Sequence, residues 1–94
     1  MDYVSTRGQD GPLGYEEALL SGLARDGGLY LPTDYPAFTE DEIRAMAGLP
    51  YARLAGRIMA RFTDGEIGEA ELAGMAGDAY AEFTDSEVAP LRRL

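Results

Sequence analysis

The chain has 94 residues, 46% of them hydrophobic and 27% charged, which suits one folded domain and argues against disorder. It contains no Cys, no His and no Lys, its eight basic residues all being Arg; this excludes disulfides and thiol or zinc–thiolate chemistry, removes the usual general base near neutral pH, and leaves no side-chain amine to form a Schiff base with an aldehyde cofactor. The net charge of −9 argues against nucleic acid and anionic membrane surfaces as partners, and no apolar run approaches the ~20 residues that span a bilayer.

The start, Met1-Asp2-Tyr3, lacks a basic stretch followed by an apolar core, so no signal peptide is read and a cytoplasmic location is expected. Arg used without Lys, with abundant Ala and Gly, points to a GC-rich bacterial gene. Tyr3-Val4-Ser5-Thr6 is β-prone and closes at Gly8, which predicts a short first strand. Gln9 to Gly14 is rich in glycine and holds Pro12, a loop composition. Tyr15, Ala18, Leu19, Gly22 and Leu23 then fall at helical spacing, predicting a helix over 15–24. Glu16 and Glu17 sit in its first turn, where carboxylates complement the helix dipole. Asp26-Gly27-Gly28 is expected to stop that helix, and Leu29-Tyr30-Leu31 reads as a second strand closed by Pro32.

Thr39 with Glu42 three residues on forms a capping box, so a helix is predicted from Thr39 to Gly48. Pro50 suits the first position of the next helix. Tyr51, Leu54, Ala55, Ile58, Met59 and Phe62 make a continuous apolar stripe along it. Thr63-Asp64-Gly65 is a turn. A last helix over 69–83 places Leu72, Met75, Ala76, Ala79 and Phe83 on one face. Gly74 and Gly77 inside it each cost about 0.5–1 kcal/mol relative to Ala, so a closely packed neighbour is expected at both. Val88-Ala89-Pro90-Leu91 reads as a terminal extended segment. The chain stops at Arg92-Arg93-Leu94 without a Gly or Pro and is expected to continue in a longer parent.

Several motifs invite sharper readings. Gly22 to Pro32 carries the most specific pattern: a helix must end and the chain must reverse into a strand, which Asp26 and the glycines permit. A tight turn is the preferred reading; direct ligand contact is the alternative. Ser5-Thr6-Arg7-Gly8 offers hydroxyls and a guanidinium to a phosphate. One Arg without a glycine-rich cradle is a weak phosphate pattern, however, and a strand whose Arg meets solvent or a carboxylate is preferred. Asp64 to Glu71 matches half of a calcium loop, but Ala60 and Phe62 occupy its first two ligand positions and offer no side-chain oxygen. Arg53, Arg57 and Arg61 form a stripe opposite the apolar face, read as solvated or salt-bridged, with an acidic domain surface as the sharper option. Glu40-Asp41-Glu42 is read as a dipole-favoured helix start and not as a metal site. A glycosidase-type carboxylate pair is disfavoured, because no sequence pattern sets the required separation.

Tyr3-Val4-Ser5-Thr6-Arg7-Gly8, then Tyr15 to Ser21, then Gly22-Leu23-Ala24-Arg25-Asp26-Gly27-Gly28-Leu29-Tyr30-Leu31-Pro32 resemble in order and spacing the start of threonine synthases. Tyr35 to Thr39 and Asp64 to Ile67 fit later stretches of that family's N-terminal domain, and Val88 to Leu91 resembles the strand leading to its catalytic domain. The family pattern often has Ser where Gly14 stands, which would weaken the helix cap by a few tenths of a kcal/mol, and Phe where Tyr15 stands. The resemblance implies a pyridoxal-phosphate enzyme that converts O-phospho-L-homoserine and water to L-threonine and phosphate. It also implies that the cofactor's lysine lies downstream, in a motif such as His-Gly-Pro-Thr-x-x-Phe-Lys-Asp. No catalytic, cofactor-binding or metal residue is carried over onto this chain, which is expected not to be an enzyme alone. Its partners would be the catalytic domain of the same polypeptide and, in the full enzyme, the substrate. Ser5, Thr6, Arg7, Asp26, Gly27, Gly28, Tyr30 and Pro32 are the family-motif positions, with a structural or domain-contact role expected.

The resulting expectation is an α+β fold: one small, mostly helical domain over 1–94 with short N-terminal strands. Leu23, Leu54, Ile58, Phe62, Leu72, Met75 and Phe83 are expected in its core. The main alternative is a free-standing acidic protein-interaction module; an autonomous hydrolase is a distant third.

Overall fold

A computed structural model describes residues 1–94. The elements run β1 (Tyr3–Ser5), α1 (Tyr15–Ser21), β2 (Tyr30–Pro32), α2 (Glu40–Met46), α3 (Tyr51–Thr63) and α4 (Glu69–Tyr80). This is the expected α+β class, and no helix is long and apolar enough to cross a membrane.

β1 and β2 pair antiparallel, Tyr3 with Pro32, Val4 with Leu31 and Ser5 with Tyr30. On its other edge Tyr3 exchanges two backbone hydrogen bonds with Leu13 (2.8 and 2.9 Å), so the loop after β1 folds back beside it. Alternation follows the pleat: Tyr3 and Ser5 are buried, Val4 less so. The Tyr3 ring lies 5.8 Å from the Tyr15 ring, and its hydroxyl donates to the carbonyl of Phe62 at 2.5 Å. One tyrosine thereby joins the sheet to α1 and to the end of α3.

α1 ends earlier than expected. Gly22 takes φ +72° and closes it, so the stop is Gly22 and not Asp26-Gly27-Gly28. Leu23 falls beyond the helix and is 65% exposed, while Ala24 is buried in its place. The second strand correspondingly begins one residue later, at Tyr30. The capping box on α2 is present in both directions: Thr39 Oγ1 accepts from the Glu42 amide and Glu42 Oε1 accepts from the Thr39 amide, each at 3.1 Å. α2 ends at Met46, before Gly48, because Ala47 already has extended backbone. Pro50 precedes α3 as its N-cap, with ψ 146°, and is not its first helical residue.

α3 and α4 form an antiparallel hairpin. Tyr51 meets Tyr80 edge-on at 5.2 Å, and Thr63 closes the turn by donating its hydroxyl to the Ile67 carbonyl at 2.9 Å. The helices approach closely at Gly56, where a Cβ would lie 2.8 Å from the Ala73 nitrogen and 2.9 Å from the Glu69 carbonyl oxygen. The close approach expected at Gly74 and Gly77 is not found there: Gly74 faces open space and Gly77 meets only the Ala52 Cβ at 3.9 Å.

The core is small, with 10 buried residues, including Tyr3, Ala18, Ala24, Met46, Leu72 and Ala76. Of the expected core, Leu72 is buried and Leu54, Ile58 and Phe62 are half-buried. Leu23, Met75 and Phe83 are exposed instead. α4 buries Leu72 and Ala76 and leaves Met75 exposed, and it ends at Tyr80, so Phe83 lies beyond the helix. The expected extended segment at 88–91 is absent. Asp85 accepts from the Glu87 amide through its side chain (2.9 Å) and from the Val88 amide through its carbonyl (3.0 Å). That turn places Val88 at φ +64°.

The hairpin makes opposite demands on its glycines. Gly56→Ala should destabilise the chain by roughly 1–3 kcal/mol, because the added methyl meets α4 backbone that cannot yield. Gly74→Ala should stabilise it by about 0.5–1 kcal/mol, through lost flexibility of the unfolded chain and better helix propensity. Urea unfolding followed by circular dichroism measures both; shifts of the same sign would contradict this packing.

Candidate functional site: a carboxylate knot beside an apolar groove

The motif residues at 5–7 and 26–28 meet in space. Asp26 Oδ1 accepts from the Ser5 hydroxyl at 2.6 Å and from the Gly28 amide at 2.9 Å, and Oδ2 accepts from the Gln9 amide at 3.0 Å. Ser5 Oγ in turn accepts from the Arg7 amide at 3.1 Å, and Thr6 Oγ1 accepts from the Leu29 amide at 3.1 Å. The glycines are required by closeness. A Cβ on Gly28 would lie 2.3 Å from Ser5 Oγ, and one on Gly27, already at φ +85°, would lie 2.7 Å from Arg7 Nη1.

Arg7 Nη1 donates to the backbone carbonyl of Asp26 at 2.9 Å. It therefore meets neither bulk solvent alone nor a carboxylate, the two partners its sequence context offered. Tyr30 also belongs to this region, donating its hydroxyl to Asp10 Oδ2 at 2.6 Å. Pro32 does not: it sits at the far end of β2, opposite Tyr3.

Asp10, whose sequence context in the 9–14 loop marks no such role, is a second carboxylate hub. It also accepts from the Arg25 amide at 2.8 Å, the Gly11 amide at 2.9 Å and the Arg25 guanidinium at 3.3 Å. Its side chain is only 5% exposed. The one local signal was an Asp in a Gly-Pro loop, a residue type that bonds nearby amides.

These contacts set the charges. The Tyr30 hydroxyl, then the Arg25 amide and guanidinium, hold the Asp10 carboxyl far below the usual carboxylate range. The Ser5 hydroxyl, then the Gly28 and Gln9 amides, lower Asp26. Donation to Asp10 pushes the Tyr30 hydroxyl up, and the same carboxylate raises Arg25. Both carboxylates are thus ionised at neutral pH and saturated with donors. Such groups are poor general bases, since proton uptake would forfeit those bonds. Two guanidiniums reach the knot, Arg7 at the Asp26 backbone carbonyl and Arg25 at the Asp10 carboxylate, and the two fixed carboxylates beside them disfavour a phosphate.

Beside the knot, Tyr3, Tyr15, Ala18, Leu19, Leu29 and Leu31 line an open apolar groove of about 380 Å³ between α1 and β2. Leu19, Leu20, Leu23 and Leu29 are all more than half exposed there or at its margin. α1 is held in place from a distance. Glu66, in the α3–α4 turn, accepts from the Glu16 amide at 2.9 Å, and a Cβ on Gly14 would lie 3.0 Å from Glu66 Oε1. Gly14 thus forgoes a side-chain cap of its own and admits a carboxylate from 50 residues away. No local pattern announces that partnership.

The arginine stripe is largely spent internally, as expected of a salt-bridged face. Arg57 Nε pairs with Glu69 at 2.9 Å. Arg61 pairs with Glu42 and lies 4.6 Å from the centre of the Phe38 ring.

Residues 2–80 match the protein family described as threonine synthase N terminus. The chain is 48% identical over 94 residues to threonine synthase of Pseudomonas aeruginosa, an alignment covering all of this chain and 20% of that protein. Its fold superposes with a TM-score of 0.89 on a crystal structure of PLP-bound threonine synthase from Brucella melitensis, at 49% identity over 99% of this chain and 20% of that one. Threonine synthase from Escherichia coli gives a TM-score of 0.80 at 26% identity over 86% of this chain and 19% of that one. The chain spans about a fifth of the length of these relatives.

The knot makes stability acid-sensitive. Asp10 and Asp26 have folded-state pKa values below their unfolded values, so their contribution is fully present above about pH 4, the ordinary range of an aspartate. It is lost as pH falls through the lowered values. The urea midpoint should hold from neutral pH down to about pH 4 and then decline. Asp10→Asn and Asp26→Asn should each lower it at neutral pH and flatten the acid limb.

Proposed function

This chain belongs to the threonine synthase N-terminal family, and from that membership we propose that residues 1–94 form the N-terminal domain of a bacterial, cytoplasmic threonine synthase, a lyase. The whole enzyme would convert O-phospho-L-homoserine and water to L-threonine and phosphate with pyridoxal phosphate. The residues here do not suit that cofactor: there is no lysine to hold its aldehyde, and the two guanidiniums at the knot are engaged, Arg7 by the Asp26 carbonyl and Arg25 by Asp10. The catalytic lysine therefore belongs to another part of the same polypeptide, and the substrate is bound there.

The domain's part is to pack on that catalytic region, shaping and shielding one side of it. The observation that carries this reading is the open groove. α1 has seven residues, and only Ala18 among them is buried. A helix that short does not sustain itself without tertiary packing, and each leucine fully covered contributes roughly 1.5–3 kcal/mol. Leu19, Leu20 and Leu23 are exposed here, so the parent enzyme has a direct energetic reason to cover them. A free-standing acidic module would leave that face in water. In this scheme Ser5, Thr6, Arg7, Asp26, Gly27, Gly28 and Tyr30 are structural: they hold the strand pair and the turn that form the groove's wall, while Pro32 ends β2.

Two measurements test this. With pyridoxal phosphate and O-phosphohomoserine, the 94-residue chain alone should release no phosphate, whereas the parent polypeptide should turn over. Leu19→Glu with Leu20→Glu in the parent should lower its melting temperature and its kcat/KM together. Turnover by the isolated chain, or a parent indifferent to both charges, would overturn the proposal.

A further inference from the structure

The chain contains three Asp-Gly steps, at 10–11, 26–27 and 64–65. Among aspartyl steps, Asp-Gly is the most prone to spontaneous backbone isomerisation, because glycine has no Cβ to shield its nitrogen. That nitrogen attacks Cγ of the aspartic acid. A C–N bond forms, a carboxyl C–O bond breaks, and the oxygen leaves as water with the amide proton and the acid proton. Water then opens the resulting succinimide ring. Attack at the main-chain carbonyl leaves the chain running through the side-chain carbon, as isoaspartate, with no net change in mass and no reagent but water.

We propose that the fold protects two of these steps and leaves Asp64-Gly65 as the one of the three open to isoaspartate formation. The reaction needs a carboxyl free to rotate and a following nitrogen free to attack. At Asp10 the carboxyl is not free to rotate. The side chain is 5% exposed, the Tyr30 hydroxyl and the Arg25 amide hold one oxygen, and the Gly11 amide, the prospective nucleophile, donates to the other. At Asp26 both oxygens are held by Ser5, Gly28 and Gln9, and the Gly27 amide donates to the Ala24 carbonyl at 2.9 Å.

Asp64 differs on each count. Its side chain is 72% exposed, and its partner is the Met1 amino group, a surface contact. The Gly65 amide has no backbone or side-chain acceptor. The turn is spanned by one backbone bond, from the Glu66 amide to the Thr63 carbonyl at 3.0 Å, so a small local opening brings the nitrogen to Cγ.

The position has a structural consequence. Isomerisation inserts one extra main-chain carbon between Asp64 and Gly65, one residue ahead of Glu66, the residue that caps α1. The turn would then present Glu66 differently, and α1 would lose its tie to the α3–α4 hairpin. The groove is thereby coupled to the chemical age of a turn distant in sequence.

The test uses the whole chain, aged at neutral pH and physiological temperature in buffer and, in parallel, in concentrated urea. Isoaspartyl residues are labelled with an isoaspartyl methyltransferase and labelled S-adenosylmethionine, then located by peptide mapping. In urea all three steps should be labelled. In buffer the label at Asp64 should exceed that at Asp10 and Asp26 by at least about tenfold, since protected sites react only through their rare open states. Ser5→Ala should raise labelling at Asp26 in the folded chain and leave Asp64 unchanged. Equal labelling of the three steps in buffer, or protection of Asp64 to the level of the other two, would overturn the proposal.

Discussion

The carboxylate of Asp26 ties together three stretches that otherwise have little to hold them: the end of β1 at Ser5, the loop at Gln9 and the turn at Gly28. A two-stranded sheet of three-residue strands is marginal in water. Here the adjoining ends of the two strands, Ser5 and Tyr30, are fastened by side-chain bonds to Asp26 and Asp10, and Asp10 also holds Arg25. Satisfied charged hydrogen bonds are worth more than neutral ones. Two such hubs therefore reinforce the few apolar residues, Tyr3, Ala18 and Ala24, that are buried in this half of the chain. The glycines at 27 and 28 follow from the same constraint, since side chains there would occupy the space of Arg7 and Ser5.

The helical half is organised differently. α3 and α4 approach at Gly56, and the small residues Ala52 and Ala73 extend that contact. The two halves meet through few but directional links: the Tyr3 hydroxyl to Phe62, and Glu66 to the start of α1. A domain joined this way keeps its shape while leaving much of its apolar surface uncovered. The exposed leucines of α1 and β2 are the outcome, and they are what a protein about five times as long would cover.

Much of this was legible in the sequence wherever the deciding interaction was local. The Thr39–Glu42 box, the turn at Asp64-Gly65 and the six elements follow from residues within a few positions of one another. The motif residues at 5–7 and 26–28 stood out, although only the fold shows that Ser5 and Asp26 bond each other. What escaped was non-local. Glu66 caps a helix 50 residues earlier, and Asp10 looked like loop filler because its partners Arg25 and Tyr30 lie on another segment. Gly56 was overlooked because it adjoins an apolar stripe; the row Ala52, Gly56, Ala60 was the available signal. Leu23, Met75 and Phe83 were placed in the core on apolar character and spacing, and neither property separates a buried residue from one awaiting a partner.

The distribution of charge completes the functional argument. Asp10, Asp26, Glu42, Glu66 and Glu69 are engaged in holding strands, caps and helices, as are Arg7, Arg25, Arg57 and Arg61. What remains at the groove is apolar, and the knot beside it presents carboxylates already saturated with donors. A surface of that kind recognises by shape and burial and has little to offer a phosphorylated amino acid. It follows that, in the proposed enzyme, affinity for an anionic substrate and its cofactor arises in the lysine-bearing region. This domain's contribution then enters through the stability and closure of that region, a division of labour consistent with a chain rich in acid and devoid of Lys and His.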